Sequence, residues 1–211
     1  MKKEFLIITI IMVGLTFISC SEEITQLTDE NLDVVNRDIL SIDEDLNTVS
    51  LNAKLGDGFA IIENVNFDVG TIELELKGEN NPGKSFLGIA FNIQNDSTYE
   101  AIYFRPFNFQ SGKKIRREHS VQYIYEPKHT WRFLRTNYPE QFEAEYPRQP
   151  SPDAWFGVQV KIDSKKVYVY DRESNTELLS VERLGNQVSN KIALWTGNNS
   201  KGDFRNLKIM N

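Results

Sequence analysis

The sequence predicts an all-β sandwich of two antiparallel sheets, and three observations carry that expectation. Residues 70–78 alternate without a break, Ile72, Leu74 and Leu76 on one face and Glu73, Glu75 and Lys77 on the other, which is the period of a half-buried strand. Short apolar segments with turn signals between them recur along most of the chain. An amphipathic helix period is missing from the same region, which excludes a helix-rich fold and leaves a sandwich or barrel.

The strands follow in order. Residues 39–42, 48–51 and 59–62 are short apolar candidates, the third preceded by the turn pair Asp57-Gly58. After 70–78 come 85–94, 99–107, 120–125, 156–162, 166–170 and 191–196, with Asn95-Asp96, Asp163-Ser164 and Gly197-Asn198-Asn199 as turns. Residues 127–152 break the rhythm with recurrent prolines, mixed charges and the aromatics Trp131, Tyr138, Phe142 and Tyr146. Long loops in compact domains are functional or disordered, and these aromatics argue against disorder. One short helix is expected at 130–137.

The amino end carries a different pattern. Met1, Lys2 and Lys3 precede an apolar run over 5–18 that only Thr9, Gly14 and Thr16 interrupt. A basic start followed by a short apolar run reads as a secretory signal, because a spanning helix needs roughly 20 apolar residues. Phe17-Ile18-Ser19-Cys20 resembles a bacterial lipobox, with Phe17 in place of the usual Leu. Residues 1–19 are therefore read as signal peptide, and 20–36 as a lipidated cysteine with an acidic tether carrying a helical turn around 29–34. The remainder, 37–211, is read as the β domain. Ser21-Glu22-Glu23 resembles the acidic export signal of Bacteroidetes-type surface lipoproteins and points to an outer-membrane anchor, exposed at the cell surface on that reading.

Cys20 is the single cysteine, so no intrachain disulfide can form and the core alone must hold the fold. The whole chain carries a net charge of −6. Removal of Lys2, Lys3 and Glu4 with the signal takes this to −7, a balance that repels phosphate backbones and disfavours nucleic acid as a partner.

The candidate chemistry gathers on two strands and the long insertion. On a strand, Tyr103, Arg105 and Phe107 share a face, and an arginine between aromatics can hydrogen-bond sugar hydroxyls while the rings stack on sugar faces. The same residues also suit a cation–π clamp, or an ion pair of Arg105 with Glu100 or Glu118. In the next strand His119, Val121, Tyr123 and Tyr125 share one face, with Ser120, Gln122 and Ile124 on the other. His119 and His129 are the only histidines, and an imidazole is the natural acid or base near neutral pH.

Paired carboxylates suit glycoside hydrolysis. Glu73 and Glu75 superficially match the ExDxxE strand of laminarinase-like glucanases, but Glu75 replaces the Asp and Glu79 falls outside the pattern. A solvent-facing charged strand explains them better. Glu143 and Glu145 in the insertion form a second pair, and Asp153 stands near Trp155 at its exit. Neither a GxSxG elbow, a phosphate loop nor a His/Cys metal spacing occurs; no cofactor and no metal site are expected, with calcium held by backbone carbonyls and carboxylates as the open alternative.

Several segments together resemble a known group. Gly88-Ile89-Ala90-Phe91, the run Tyr99 to Phe109 with Tyr-Phe-Arg-Pro-Phe-Asn inside it, Ser120-Val121-Gln122-Tyr123, Trp131, Trp155-Phe156 and the closing Leu194 to Leu207 occur in it in that order. The chain resembles the 3-keto-disaccharide hydrolase (DUF1080-type) proteins of the concanavalin A-like lectin/glucanase superfamily. The resemblance implies a jelly roll with one sheet open to ligand, carbohydrate as partner, and hydrolysis or binding of a glycan. The clustering of aromatic and hydrogen-bonding residues on two strands beside the aromatic-rich insertion, and not the resemblance, gives the expected site: Tyr103, Arg105, Asn108, Gln122, Tyr123 and Trp131 for binding, and His119 with Glu143 for proton transfer. Trp195 and Asn198 either line the same groove or close the core. A non-catalytic glycan-binding or adhesion module is the alternative, and an envelope component without a sugar site is a third.

Overall fold

The structure is a computed structural model that describes residues 24–211; the segment read as a signal peptide and Cys20 lie outside the described residues. Fourteen strands form: β1 (Leu32–Val35), β2 (Ile39–Asp43), β3 (Thr48–Leu51), β4 (Gly58–Ile62), β5 (Gly70–Lys77), β6 (Leu87–Asn95), β7 (Thr98–Phe104), β8 (Val121–Glu126), β9 (Glu143–Ala144), β10 (Phe156–Ile162), β11 (Lys166–Asp171), β12 (Thr176–Glu182), β13 (Ile192–Thr196) and β14 (Gly202–Met210). Three short helices, α1 (Pro106–Phe109), α2 (Lys114–Arg117) and α3 (Trp131–Asn137), lie between β7 and β9. One antiparallel sheet runs β1-β4-β13-β6-β7-β8-β9 and the other β12-β11-β10-β5-β14-β3-β2, a jelly-roll sandwich.

The core lies between the sheets. Ile72, Leu74 and Leu76 of β5 are buried there, as their alternation requires. Across the gap the Phe104 ring of β7 meets Phe156 of β10 at 5.4 Å, and Phe109 and Tyr146 complete an aromatic cluster. Phe104 thus faces the other sheet, and alternation turns its neighbour Tyr103 to the outer side. On the far face of the second sheet Glu75 pairs with Arg172 and with Arg205 at 2.7 Å, and Arg205 stacks on Trp155 at 4.3 Å. These charges form a structural network rather than a catalytic pair.

One carboxylate is buried outright. Glu100, fully shielded, pairs with Arg183 at 2.7 Å and accepts hydrogen bonds from Asn92 at 2.8 Å and from the Tyr123 hydroxyl. A buried charge persists only when paired and hydrogen-bonded, and Glu100 has both.

Four expectations need correction. The sandwich begins before residue 37. Leu27 is buried, β1 pairs along its length with β4, and Ile24 bridges Lys208, so 24–36 is a structured part of the domain. Among the described residues a 3-10 turn at Asp29–Asn31, and not a helical turn over 29–34, precedes β1, because Leu32 then has apolar surface to bury in the sheet. Strand β7 stops at Phe104, since Pro106 has no N–H for the ladder and instead opens α1, which takes Phe107 out of the strand. His119, likewise, lies in the turn after α2 and not on β8.

Candidate functional site

The outer face of the first sheet holds a two-lobed cleft. Its larger lobe measures about 640 Å³ and its smaller about 430 Å³; Phe86, Tyr103, Trp131 and Asn198 line both, so the lobes are continuous. The floor is set by register. Trp195 of β13, Gly88 of β6 and Tyr103 of β7 lie in one row across three strands. Since Gly88 lacks a side chain, the Tyr103 and Trp195 rings meet above it at 4.9 Å, tilted by 34°. Phe86 packs edge-on against Tyr103 and Phe107. Trp131, at the start of α3 and 39% exposed, forms the facing wall. The Thr130 hydroxyl caps this helix by accepting the Phe133 N–H at 3.2 Å.

Arg105 is buried to 5% exposure and borders the larger lobe. It donates to the Tyr103 hydroxyl at 2.7 Å, to Gln122 Oε1 at 3.2 Å and to the His119 carbonyl at 2.8 Å. Its guanidinium also lies 4.9 Å from the Tyr103 ring centroid and 5.9 Å from that of Phe86. The two glutamates expected as alternative partners are engaged elsewhere, Glu100 with Arg183 and Glu118 with Lys114. Asn108 donates to the same His119 carbonyl at 3.1 Å, so β7, α1 and the turn at His119 are tied together.

His119 Nδ1 stands 2.8 Å from Glu143 Oε2, and Arg135 grips both oxygens of Glu143, at 2.6 Å from its Nη2 and 3.0 Å from its Nε. The histidine contact is short but off line for an N–H···O hydrogen bond. Burial pushes the His119 pKa down, and the pull of Glu143 upward only partly offsets this. A neutral imidazole therefore prevails at neutral pH. His119 borders the larger lobe, while Glu143 lies behind it beside a small pocket of about 120 Å³.

Two sequence-derived candidates lie beneath the cleft instead of in it. Tyr123 is fully buried and hydrogen-bonded to Glu100 and the Leu184 N–H, so its ring faces the core and has no surface for a sugar. Gln122 is 1% exposed and donates to the Tyr123 and Phe142 carbonyls while accepting from Arg105; it holds the arginine rather than a ligand. Tyr103, Arg105, Asn108, His119 and Trp131 do line the cleft, joined by Trp195 and Asn198.

Sequence reasoning missed Asp57 and Glu126, which line the smaller lobe. Burial raises both carboxyls, Glu126 to about 7 with Asp57 adding repulsion. Asp57 accepts from the Tyr99 hydroxyl at 2.7 Å. Its loop is fixed by Arg37, which donates to the carbonyls of Gly56, Thr196 and Gly197 at 2.8 Å each. Nothing in the local sequence brings positions 57 and 126 together; only the order β4-β13-β6-β7-β8 does. Among the described residues no three His, Cys, Asp or Glu side chains converge in a metal-binding group.

With this geometry in hand, solved structures of similar shape are informative. A carbohydrate-binding module, CBM66, from Bacillus subtilis aligns with a TM-score of 0.56 at 11% identity, covering 86% of this chain and 96% of that one. The likeness is one of fold. A candidate glycosyl hydrolase from Parabacteroides distasonis aligns at 0.51 with 12% identity, over 84% of each chain. The lumenal domain of VIP36, in a form bound to calcium and Man3GlcNAc, aligns at 0.53 with 11% identity, over 86% of each chain. No protein-family model matches this chain, and no curated protein is recognisably similar to it.

Proposed function

We propose that this protein is a carbohydrate-active lipoprotein of the bacterial envelope, anchored through Cys20 in the outer membrane, that binds a glycan in the two-lobed cleft and hydrolyses it. One observation carries the reading: aromatic faces and proton-transferring groups line the same cleft. Trp131 on the wall, 39% exposed, supplies an apolar face for a sugar ring above a floor of closely packed Tyr103 and Trp195 rings. Glu126, with a pKa raised to about 7, keeps a protonated fraction at neutral pH and suits donation to a glycosidic oxygen. His119, neutral and bordering the larger lobe, suits taking the proton of an attacking water. The narrower reading, a 3-keto-disaccharide hydrolase, draws its support from the Tyr103–Asn108 and Trp195–Phe204 motifs.

A second reading, a non-catalytic glycan-binding module, is favoured by the grip of Arg135 on both oxygens of Glu143, which occupies that carboxylate. A glycan panel against the purified protein, read in parallel by thermal shift and released product, separates the two. Stabilisation with product release, lost in Glu126→Gln or His119→Ala, supports the hydrolase. Stabilisation without product supports the binding module, and no response to any glycan sinks both.

A further inference from the structure

The larger lobe has an unusual charge for this protein. Arg105, Arg116, Arg135 and His119 line it, and its lining contains no aspartate or glutamate, although the chain as a whole carries −6. Arg135 is neutralised by Glu143. Arg116, exposed on α2, makes no side-chain hydrogen bond or ion pair among the described residues. Arg105 is the informative one. It is more than nine-tenths buried, yet every partner that it has is neutral: a phenol, an amide oxygen and a backbone carbonyl. No carboxylate lies within ion-pair distance of it among the described residues. Those three bonds engage three of its five N–H protons, so two donors remain.

Burying a cation without a counter-ion is costly, and the cost is recovered when an anion occupies the adjoining space. The smaller lobe has the opposite character, with Asp57 and Glu126 on its wall. The cleft is thus polarised along its length, and an acidic group entering it is attracted to one end and repelled from the other.

We propose that the ligand is an acidic glycan, its anionic sugar, bearing a carboxylate or a sulfate, seated in the larger lobe against Arg105 and Arg116, with a neutral sugar beside Trp131 in the smaller lobe. This deepens the glycan reading and rests on it. Guanidinium groups recognise planar carboxylates and sulfates through charge-assisted hydrogen bonds, which a neutral hydroxymethyl group cannot match.

The test uses matched disaccharide pairs by titration calorimetry on the purified protein: cellobiose against cellobiouronic acid, digalactose against digalacturonic acid, and each neutral sugar against its 6-O-sulfated form. The expected result is that the acidic member of at least one pair binds about tenfold or more tightly. That advantage should shrink with added salt, be abolished in Arg105→Gln, and fall about two- to fivefold in Arg116→Gln. Arg116 is exposed, so its variant keeps the fold and decides the matter if Arg105→Gln does not fold. The carboxylate and sulfate arms show which anion is preferred. Neutral members binding as tightly as their acidic partners, or an acidic advantage unchanged in Arg116→Gln and in a folded Arg105→Gln, overturns the inference and leaves the glycan reading standing. Failure of every member of every pair to bind overturns both.

Discussion

Tyr103 on β7 and Trp195 on β13 are in ring contact although β6 runs between their strands, because the residue that separates them in register is Gly88. A Cβ at position 88 would lie 2.0 Å from the Ile102 carbonyl oxygen and 2.7 Å from the Tyr103 Cα. The binding floor therefore depends on the absence of one methyl group. Gly88→Ala is expected to cost about 1–3 kcal/mol of stability and to weaken glycan binding by splaying the two rings. Chemical denaturation and calorimetry check the two effects, and an affinity untouched by the change would mean that the floor is not used.

Trp131 offers a cleaner probe, since it is partly exposed and its loss leaves the core intact. Trp131→Ala is expected to lower glycan affinity about three- to tenfold, the size of one aromatic contact, with a melting temperature close to that of the parent. Tyr123→Phe is expected to do the reverse. It removes the hydroxyl that donates to buried Glu100, costing about 1–3 kcal/mol, while affinity stays unchanged.

The contrast between these two residues marks how far the sequence could be read. Alternation at 70–78, 156–162 and 48–51 identified β5, β10 and β3 nearly residue for residue, because where their ladders shift the extra residue lies on the partner strand, β14 or β2, and their own period of two survives. Where a bulge intervenes the signal disappears. In β14 the register shifts between Arg205 and Lys208, with Asn206 at φ 54°, so the buried residues are Phe204 and Leu207, three apart. In β12 the consecutive Leu178 and Leu179 are both buried opposite the irregularity at Val169/Tyr170. The site was legible where side chains face the cleft from one segment, as with Tyr103, Arg105 and Asn108. A face assignment alone could not tell that Tyr123 points inward, since one face of β8 carries Val121 with two tyrosines and the other Ile124 between Gln122 and Glu126, and tyrosine, glutamine and glutamate all occur in ligand sites as well. Asp57 and Glu126 meet only through the order of strands in the sheet.

The buried Glu100–Arg183 pair makes a separate claim about stability. Arg183→Met leaves Glu100 charged, enclosed and without its cation, and about 3–5 kcal/mol of stability should be lost. Adding Glu100→Gln removes the stranded charge and is expected to recover part of that loss. Urea denaturation of the single and double variants measures both, and an undiminished loss in the double variant would show that shape, not charge, governs the site.

Glu126 gives stability a pH dependence of known sign. Its folded pKa of about 7 lies above the ordinary 4.5, so the folded state holds the proton more tightly than the unfolded chain. Its contribution is complete below pH 4.5, declines as pH rises and is gone above about 7. Glu126→Gln cannot ionise, and its melting temperature should gain on that of the parent through this interval and level off above it. Parallel melting curves across the interval would refute the raised pKa. On the hydrolase reading, turnover also falls as pH climbs past 7, where the acid is lost.

The most direct test of glycan binding in the cleft uses the three tryptophans. Trp131 and Trp195 line it, and Trp155 lies on the opposite sheet under Arg205. In Trp155→Phe the remaining indoles both report on the cleft, so titration with a bound glycan, recorded by tryptophan fluorescence beside calorimetry, locates the site. A saturable emission change with the calorimetric midpoint is the expected result. Calorimetric binding that leaves the emission of both indoles unchanged would contradict the assignment and place the glycan elsewhere on the sandwich.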